Sequence, residues 1–297
     1  MKFQVISDGS CDLPQELTKE KNIHVVPFYV SFDAAKYYKE MEEMPVRKFY
    51  EQMVDNPKVF PKSSLPSVED YVEAFRPYAK KGIPMLCICI TVKFSGSYNS
   101  ACTAKELISE EYPSAQIEVM DSTMDTVLQG IFVLEAVRMC EAGYSLEEAV
   151  KCLKERRESG RILFTIGSID YLQHGGRIGK LAGLAGSVLG IKPLIVLKEG
   201  EIFSTGLTRS REKGKAKLIA QTKAHFEEIG ERPEDYSIAV GYGYDYEEAT
   251  EFRNALLASM REYADIKEIP IFQIGATIAV HTGPYPIGLG LVKRYDR

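Results

Sequence analysis

A short serine-containing segment, residues 94–97 (FSGS), has the residue types and the position of an anion-binding site. It follows the apolar run PMLCICIT, which predicts a buried strand ending near Thr91, and it precedes a helical pattern that begins near Ser97. Ser95 and Ser97 offer hydroxyls, and the backbone N–H groups of a helix start carry the positive end of the helix dipole. The segment therefore predicts a contact with an anionic oxygen. The alternative is that Ser95 or Ser97 only caps the helix.

A second serine pair lies in residues 61–67 (PKSSLPS), where two prolines bracket a short extended stretch. Proline removes a backbone donor and disfavours helix in the residue before it, so the stretch is predicted to be rigid. Ser67 with Asp70 has the spacing of a capping box for the following helix. Capping explains Ser67 but leaves Ser63 and Ser64 available for binding.

Common catalytic signatures are absent from the sequence. The segment GGRIGKL lacks the spacing and the Ser/Thr of a phosphate-binding P-loop, no G-x-G-x-x-G follows a strand, and no G-x-S-x-G elbow is present. A hydrolase with Ser95 as nucleophile and His281 as base is one alternative that the sequence leaves open. A kinase that hydrolyses ATP without a partner is another.

The composition is that of a soluble globular protein long enough for two hydrophobic cores. The 297 residues are 45% hydrophobic and 27% charged, with a net charge of −5 and basic residues scattered among acidic ones. This distribution gives no reason to expect binding to nucleic acid. Nowhere do about eighteen apolar residues run together, so no integral membrane segment is predicted, and a cytoplasmic location is expected.

Cysteine and histidine usage gives no support to a metal site. The six cysteines form no C-x-x-C pair, and Cys87 and Cys89 alternate with isoleucine within a predicted strand, as small apolar residues facing one way would. The four histidines have no metal-ligand spacing. We expect free, buried thiols, no metal and no cofactor.

The order of elements predicts an α/β protein of two domains. In residues 1–157, apolar strands alternate with helices, which indicates a mostly parallel, Rossmann-like sheet carrying both serine segments. Residues 158–297 begin with a strand and a hairpin pattern, which predicts an α+β domain with a mixed or antiparallel sheet. Asp12 before Pro14 is predicted to cap the first helix. The apolar run with Pro27 is predicted to lie at a sheet edge or to bulge.

Seven segments together resemble the DegV family, whose members serve as the fatty-acid-binding subunit of bacterial fatty acid kinase. In chain order they are SDGSCDLP, PKSSLPS, FSGSYNSA, VMDS, IDYLQHGGRIGK, IKPLIVLKEGEI and IGATIAVHTGP. The resemblance covers essentially the whole chain. It implies a long-chain fatty acid, for example of sixteen or eighteen carbons, held in a tunnel between the domains. A separate kinase would use ATP to make the acyl phosphate, an acyltransferase would consume it, and this chain would perform no chemistry itself.

The resemblance also assigns residues to the fatty acid carboxylate. Ser63 and Ser95 are implied as its contacts, with Ser64 and Gly96 as neighbours. Physical chemistry indicates that the tail supplies the affinity and the carboxylate the orientation of such a ligand. Burial of a sixteen-carbon tail contributes on the order of 12 kcal/mol to binding before ordering costs, at ~0.8 kcal/mol per methylene. The carboxylate cannot stay unpaired in such apolar surroundings, so hydroxyls and amides must meet it.

Further residues are implied near the head group and on the surface. Arg177 and His281 would stabilise the added phosphate, although Arg177 could equally satisfy carbonyls at a helix end and His281 could be a hydrogen-bonded core residue. Arg209 and Arg211 belong to a basic stretch that the family resemblance assigns to kinase contact, with a solvated helix face as the alternative. Tyr285 stands where the family pattern has glycine, and we expect it either to narrow the mouth of the pocket or to alter the partner surface.

Overall fold

The computed structural model describes residues 2–184 and 190–297. Its strands, in chain order, are β1 (Gln4–Asp8), β2 (His24–Val26), β3 (Tyr29–Ser31), β4 (Tyr38–Lys39), β5 (Lys62–Ser64), β6 (Met85–Cys89), β7 (Ile117–Asp121), β8 (Arg161–Thr165), β9 (Lys192–Lys198), β10 (Glu201–Thr208), β11 (Tyr236–Tyr242), β12 (Ile271–Gln273) and β13 (Ile287–Lys293). Its α-helices are α1 (Gln15–Glu20), α2 (Val46–Asp55), α3 (Val68–Ala79), α4 (Ser97–Glu111), α5 (Thr126–Glu141), α6 (Leu146–Arg156), α7 (Asp170–His174), α8 (Arg211–Ile229), α9 (Tyr246–Arg261) and α10 (Ala276–Thr282). No helix within these described ranges combines the length and the apolar character needed to cross a bilayer.

The N-terminal part contains a four-stranded parallel sheet in the order β2–β1–β6–β7. Strand β6 is buried along its whole length, as expected of an inner parallel strand covered on both faces. Side chains alternate between those faces, so that Cys87 and Cys89 pack with α3 and α4 while Leu86 and Ile88 pack with α5. All six cysteines are free, and four of them are buried.

A small antiparallel sheet, in the order β4–β3–β5, was not predicted from the sequence. The apolar run around Pro27 forms two short strands: β2 lies at the edge of the parallel sheet, and β3 belongs to the small sheet. The serine stretch β5 pairs with β3, with Ser63 opposite Val30. Pairing to a strand holds the backbone of Ser63 in the extended form that its flanking prolines favour.

The C-terminal part contains a six-stranded sheet in the order β10–β9–β8–β13–β11–β12. All neighbouring strands are antiparallel except β11 and β12. Helices α8 and α9 supply Leu218, Phe226 and Phe252 to the core on one face. The hairpin of β9 and β10 agrees with the pattern in the sequence.

Helix α5 lies between the two large sheets and packs against both. Its residues are apolar on almost every side, which is typical of a fully enclosed helix. Gly290 of β13 allows this approach, because a Cβ at that position would lie only 3.0 Å from the Cα of Leu128. The interior of the protein is therefore continuous from one sheet to the other.

The predicted α/β class, a parallel sheet followed by a mixed sheet, is confirmed. The capping box of Ser67 and Asp70 is confirmed as well. The prediction that Asp12 caps the first helix is wrong. Asp12 adopts a left-handed conformation (φ 49°), and its carboxylate accepts a hydrogen bond from Thr126 instead. The domain boundary at residues 157 and 158 stays a prediction.

Candidate functional site

A cavity of about 220 Å³, here called the central cavity, lies where β5, the loop after β6 and the helices α5, α7 and α10 meet. Part of its lining is polar and consists of Ser63, Ser64, Ser95, Asp125, Arg177, Thr277, His281 and Thr282. The rest is apolar and consists of Phe28, Leu65, Ile90, Phe94, Phe164, Leu172, Ile202 and Ile278. A smaller cavity of about 30 Å³ adjoins it and shares Asp125, Phe164, Ile278 and Thr282 with it. None of Ser63, Ser95, Arg177 and His281 lines the smaller cavity.

Ser63 meets His281 at the polar end of the central cavity. The Oγ of Ser63 lies 3.2 Å from Nε2 of His281, although the two residues are 218 positions apart in the chain. Ser63 is fixed by the β5 strand and His281 by the last turn of α10. The two segments that the sequence predicted separately therefore converge on one site.

The imidazole of His281 is held in its neutral form. Loss of hydration on burial and, to a smaller extent, the positive charge of Arg177 together lower its pKa to about 4. Its Nδ1 is buried without a hydrogen-bond partner among the described residues. Gly175 permits this placement, because a Cβ there would lie 2.0 Å from Nδ1. A neutral imidazole at this position can accept or donate one hydrogen bond at Nε2.

Ser95 reaches the same cavity from the loop between β6 and α4. Its Oγ accepts a hydrogen bond from the backbone N–H of Ser97 (3.2 Å), so the hydroxyl satisfies one amide at the helix start. The hydroxyl proton of Ser95 remains available to an acceptor in the cavity. The capping alternative is thus correct in part, and it is compatible with a binding role.

The loop that carries Ser95 is anchored by Asp8, a residue whose role sequence reasoning missed. Its Oδ2 accepts hydrogen bonds from the backbone N–H of Ile90 (2.9 Å) and from Oγ of Ser97 (2.7 Å), and its Oδ1 accepts one from Nε2 of Gln129 (2.8 Å). Burial raises the pKa of the Asp8 carboxyl. The only signal in the sequence is the polar turn SDGS that follows the first strand, and it does not reveal the long-range partners.

Arg177 bridges the end of α7 to the same loop. Its Nε donates to the carbonyl of Phe94 (3.0 Å), and its Nη1 donates to the carbonyl of Gly175 (2.6 Å). The alternative that Arg177 satisfies carbonyls at a helix end therefore holds for the bond to Gly175, which ends α7, but not for the bond to Phe94, which lies in the loop before α4. Neither bond uses Nη2, and the guanidinium still lines the central cavity.

Two other predicted residues lie at the margin of the site. Ser64 lines the central cavity but is exposed, and it stands opposite Tyr29 in the small sheet. Gly96 occupies the residue before α4 and does not line the cavity. A Cβ at Gly96 would lie 3.4 Å from the side chain of Leu65, so this glycine brings the two serine segments close together.

The predicted basic surface is partly neutralised by acidic neighbours. Arg211 forms an ion pair with Glu248 that is half-buried and involves two hydrogen bonds, and its Nη1 donates to the carbonyl of Tyr285. Lys215 is buried between Glu212 and Glu248. Arg209 and Lys213, in contrast, are exposed. A partner could therefore use Arg209 more readily than Arg211.

Tyr285 lies outside the lining of the central cavity. Its ring packs edge-on against Tyr244 with a centroid distance of 6.3 Å, and its Cβ faces Gly167. The side chain is 39% exposed. The geometry therefore gives no support to a pocket mouth narrowed by Tyr285, and an altered partner surface stays a prediction.

The arrangement does not match a hydrolytic triad. His281 contacts Ser63, whereas the hydrolase alternative paired His281 with Ser95. No carboxylate among the described residues orients its Nδ1, and a pKa near 4 makes the imidazole a weak base. What the arrangement offers is a set of hydroxyl, imidazole and guanidinium groups at one end of a largely apolar cavity. Such a cavity suits an amphipathic ligand with an anionic end.

Comparison with known proteins agrees with this description of the site. The sequence model described as "Uncharacterised protein, DegV family" matches residues 2–294. A DegV domain-containing protein of Clostridium perfringens is 30% identical over 95% of this chain and 94% of its own length. A crystal structure described as a stearic acid-binding protein from Eubacterium ventriosum is 43% identical, with a TM-score of 0.94 over 99% of both chains. A DegV family protein from Thermus thermophilus, described by its fatty acid binding, is 28% identical, with a TM-score of 0.86 over 99% of this chain and 100% of its own.

Proposed function

The chain belongs to the DegV family, and from this premise we propose that it binds one long-chain fatty acid in the central cavity and presents the carboxylate to a separate ATP-dependent kinase. The observation that carries the proposal is a cavity that Ser63, Ser95 and His281 all line, with Ser63 and His281 in contact, and whose lining also includes eight apolar side chains. The similarity to a stearic acid-binding protein of 43% identity supports the choice of ligand. No chemistry is assigned to this chain itself.

The head group is held by neutral donors in this proposal. Ser95 donates its hydroxyl proton to the carboxylate, because its oxygen already accepts the Ser97 amide. In the tautomer with the proton on Nε2, His281 donates to Ser63, and Ser63 donates its own proton to the carboxylate. The guanidinium of Arg177 already donates hydrogen bonds to two backbone carbonyls, so it does not form a bidentate interaction with the carboxylate. The carboxylate keeps the electron density that it needs to attack the γ-phosphate of ATP.

The tail supplies most of the affinity. Seventeen carbons of stearic acid contribute on the order of 13 kcal/mol at ~0.8 kcal/mol per methylene, from which the ordering costs are subtracted. The enclosed walls also shelter a newly formed acyl phosphate from water until an acyltransferase takes it.

Mass spectrometry of freshly purified protein tests the proposal directly. Under native conditions the mass should exceed that of the chain by one fatty acid, and denaturation should release a free acid of sixteen or eighteen carbons. Protein stripped of lipid should then bind stearic acid with one-to-one stoichiometry in a titration. A stripped protein that binds no long-chain acid would contradict the proposal.

Replacing Ser95 by alanine should lower the affinity for stearic acid by about tenfold to a hundredfold, because a hydrogen bond to a charged group contributes roughly 1.5–3 kcal/mol. Isothermal titration of stripped protein measures the change. Ser100→Ala is the matched control. Ser100 lies in the first turn of α4, the helix that follows the Ser95 loop, and it does not line the cavity. Equal affinities of Ser95→Ala and the control would show that the head group is held elsewhere.

Reversing the charge of Arg209 tests the kinase contact. We expect Arg209→Glu to leave stearic acid affinity within about twofold and to lower acyl phosphate formation severalfold when the kinase is limiting, because a charge at the rim of an interface mainly affects association. Lys151→Glu on α6 is the control for a change in net charge, and Lys151 is also exposed. If both variants support phosphorylation equally, Arg209 is only a solvated residue of the turn before α8 and does not contact the kinase.

A further inference from the structure

A carboxyl group that the proposed head-group site does not use lies deeper in the same interior. Asp125, the residue just before α5, lines both the central cavity and the smaller adjoining one. It is absent from the motifs that suggested the function. Its position between the two cavities places it beside the path of any chain that extends from one into the other.

The side chain of Asp125 has no hydrogen-bond partner in the described part of the chain. Its Oδ1 is fully buried and unsatisfied, and although the residue precedes a helix, its side chain does not cap that helix. Two hydroxyls that line the smaller cavity with it are engaged elsewhere: Thr126 donates to Asp12 (2.6 Å), and Thr282 donates to the carbonyl of Ile278 (3.1 Å).

Such an arrangement is costly for the protein alone. The Oδ1 atom of Asp125 lies out of contact with water and without a partner, which is unfavourable when the carboxyl group is ionised, and burial accordingly raises the pKa of Asp125 to about 7. The residue as a whole is partly exposed, so the carboxyl group stays accessible from the cavities that it lines. The other residues shared by the two cavities are Phe164, Ile278 and Thr282, which offer no charge to compensate it. A saturated fatty acid would bring only methylenes to this carboxyl group and would leave its hydrogen-bonding capacity unused.

We propose that Asp125 makes the site selective for long-chain fatty acids that carry a hydroxyl group along the chain, with that hydroxyl donating a hydrogen bond to the Asp125 carboxyl. This inference rests on the proposed function, since it assumes that the carboxylate of the ligand lies at Ser63 and Ser95. The chain then runs past Ile278 toward the smaller cavity and meets Asp125 beyond the head group. The hydroxyl belongs in the middle part of the chain and not beside the carboxylate.

The test compares hydroxylated and plain acids on lipid-stripped protein. Stearic acid, 2-hydroxystearic acid, 10-hydroxystearic acid and 12-hydroxystearic acid are titrated into the wild type and into Asp125→Leu, a variant with the same branching and the same number of side-chain heavy atoms but without the polar group. In the wild type we expect at least one of the two mid-chain isomers to bind about tenfold more tightly than stearic acid, because a hydrogen bond that satisfies a buried group is strongly favoured. In Asp125→Leu that preference should reverse, and stearic acid should bind severalfold more tightly than it does to the wild type.

Three observations keep the result interpretable. The 2-hydroxy isomer, whose hydroxyl lies beside the carboxylate, should show no dependence on Asp125. Asp125→Asn retains a hydrogen-bonding group of the same shape and should keep a preference for the mid-chain isomer. If it does, the loss of preference in Asp125→Leu results from the missing hydrogen bond to the ligand and not from altered folding. Since Asp125 makes no capping bond, both variants should melt at or above the temperature of the wild type.

The possible failures are distinct from one another. If the wild type binds stearic acid and no mid-chain isomer binds more tightly, or if Asp125→Leu leaves the ratio of affinities unchanged, the inference is overturned while the fatty acid function stands. If neither stearic acid nor any hydroxy acid binds, the proposed function fails and the inference fails with it.

Discussion

Replacing Ile278 by tryptophan is expected to reduce the affinity for stearic acid by a hundredfold or more while leaving the protein folded. Ile278 lines both cavities and lies on α10, one turn before the head-group residue His281. An indole at this position would fill the junction through which the tail must pass. Exclusion of four to six methylenes removes roughly 3–5 kcal/mol of binding free energy at ~0.8 kcal/mol each.

The measurement is helped by the composition of the chain, which contains no tryptophan. The introduced indole is therefore a unique fluorophore that reports directly on the interior of the cavity. Ile278→Val, which leaves the passage open, is the control and should bind stearic acid nearly as the wild type does. Shorter acids provide a second readout, because an eight-carbon chain should be affected less than stearic acid. Tight stearic acid binding by a folded Ile278→Trp variant would place the tail outside these cavities.

Replacing Asp8 by alanine is expected to lower the free energy of unfolding by about 3–5 kcal/mol, because three buried neutral donors would be left without an acceptor at roughly 1–3 kcal/mol for each unsatisfied group. Asp8 is fully buried, and its two oxygens accept hydrogen bonds from the Ile90 amide, the Ser97 hydroxyl and the Gln129 amide. In the alanine variant these buried donors lose their acceptor. Denaturant unfolding monitored by circular dichroism measures the loss.

The damage should be greatest in the loop that carries Ser95. Hydrogen exchange of residues 91–100 should accelerate more than that of the distant helices α8 and α9, because Asp8 joins the end of β6 to the start of α4. Asp8→Asn keeps the size of the side chain and one acceptor oxygen, so it should lose clearly less stability than Asp8→Ala. Glu148→Ala, which removes the exposed capping box of Ser145 and Glu148 at the start of α6, is expected to cost only about 1 kcal/mol. A loss in Asp8→Ala no larger than this would mean that Asp8 does not organise the loop.

The interaction of Ser97 with Tyr71 illustrates how far this network extends. The Ser97 hydroxyl donates to Asp8, so the Tyr71 hydroxyl, 2.6 Å away, must be the donor to Ser97. Tyr71 is fully buried on α3, the helix that follows the serine segment of residues 61–67. The two serine segments are thus connected behind the cavity through a chain of buried hydroxyls that ends on Asp8.

Local sequence patterns were sufficient to predict those elements that are stabilised by interactions between residues close together in the chain. Alternation and apolar runs predicted the strands β1, β6 and β7, and the capping box of Ser67 follows from a hydrogen bond between residues three positions apart. The amino-acid sequence also carried the motifs that identify the family, and these include both serine segments and His281. These features depend on neighbours in the chain, so they can be recognised without coordinates.

Tertiary structure alone decided which separated groups meet. Ser63 and His281 are 218 positions apart, Asp8 and Ser97 are 89 positions apart, and Asp12 binds Thr126 rather than its own helix. No local preference specifies such contacts, because they depend on how the sheets pack around α5. The solitary Asp125 resembles an ordinary helix cap in the sequence, and only the closure of the two sheets around it turns it into an unsatisfied carboxyl group beside an apolar passage.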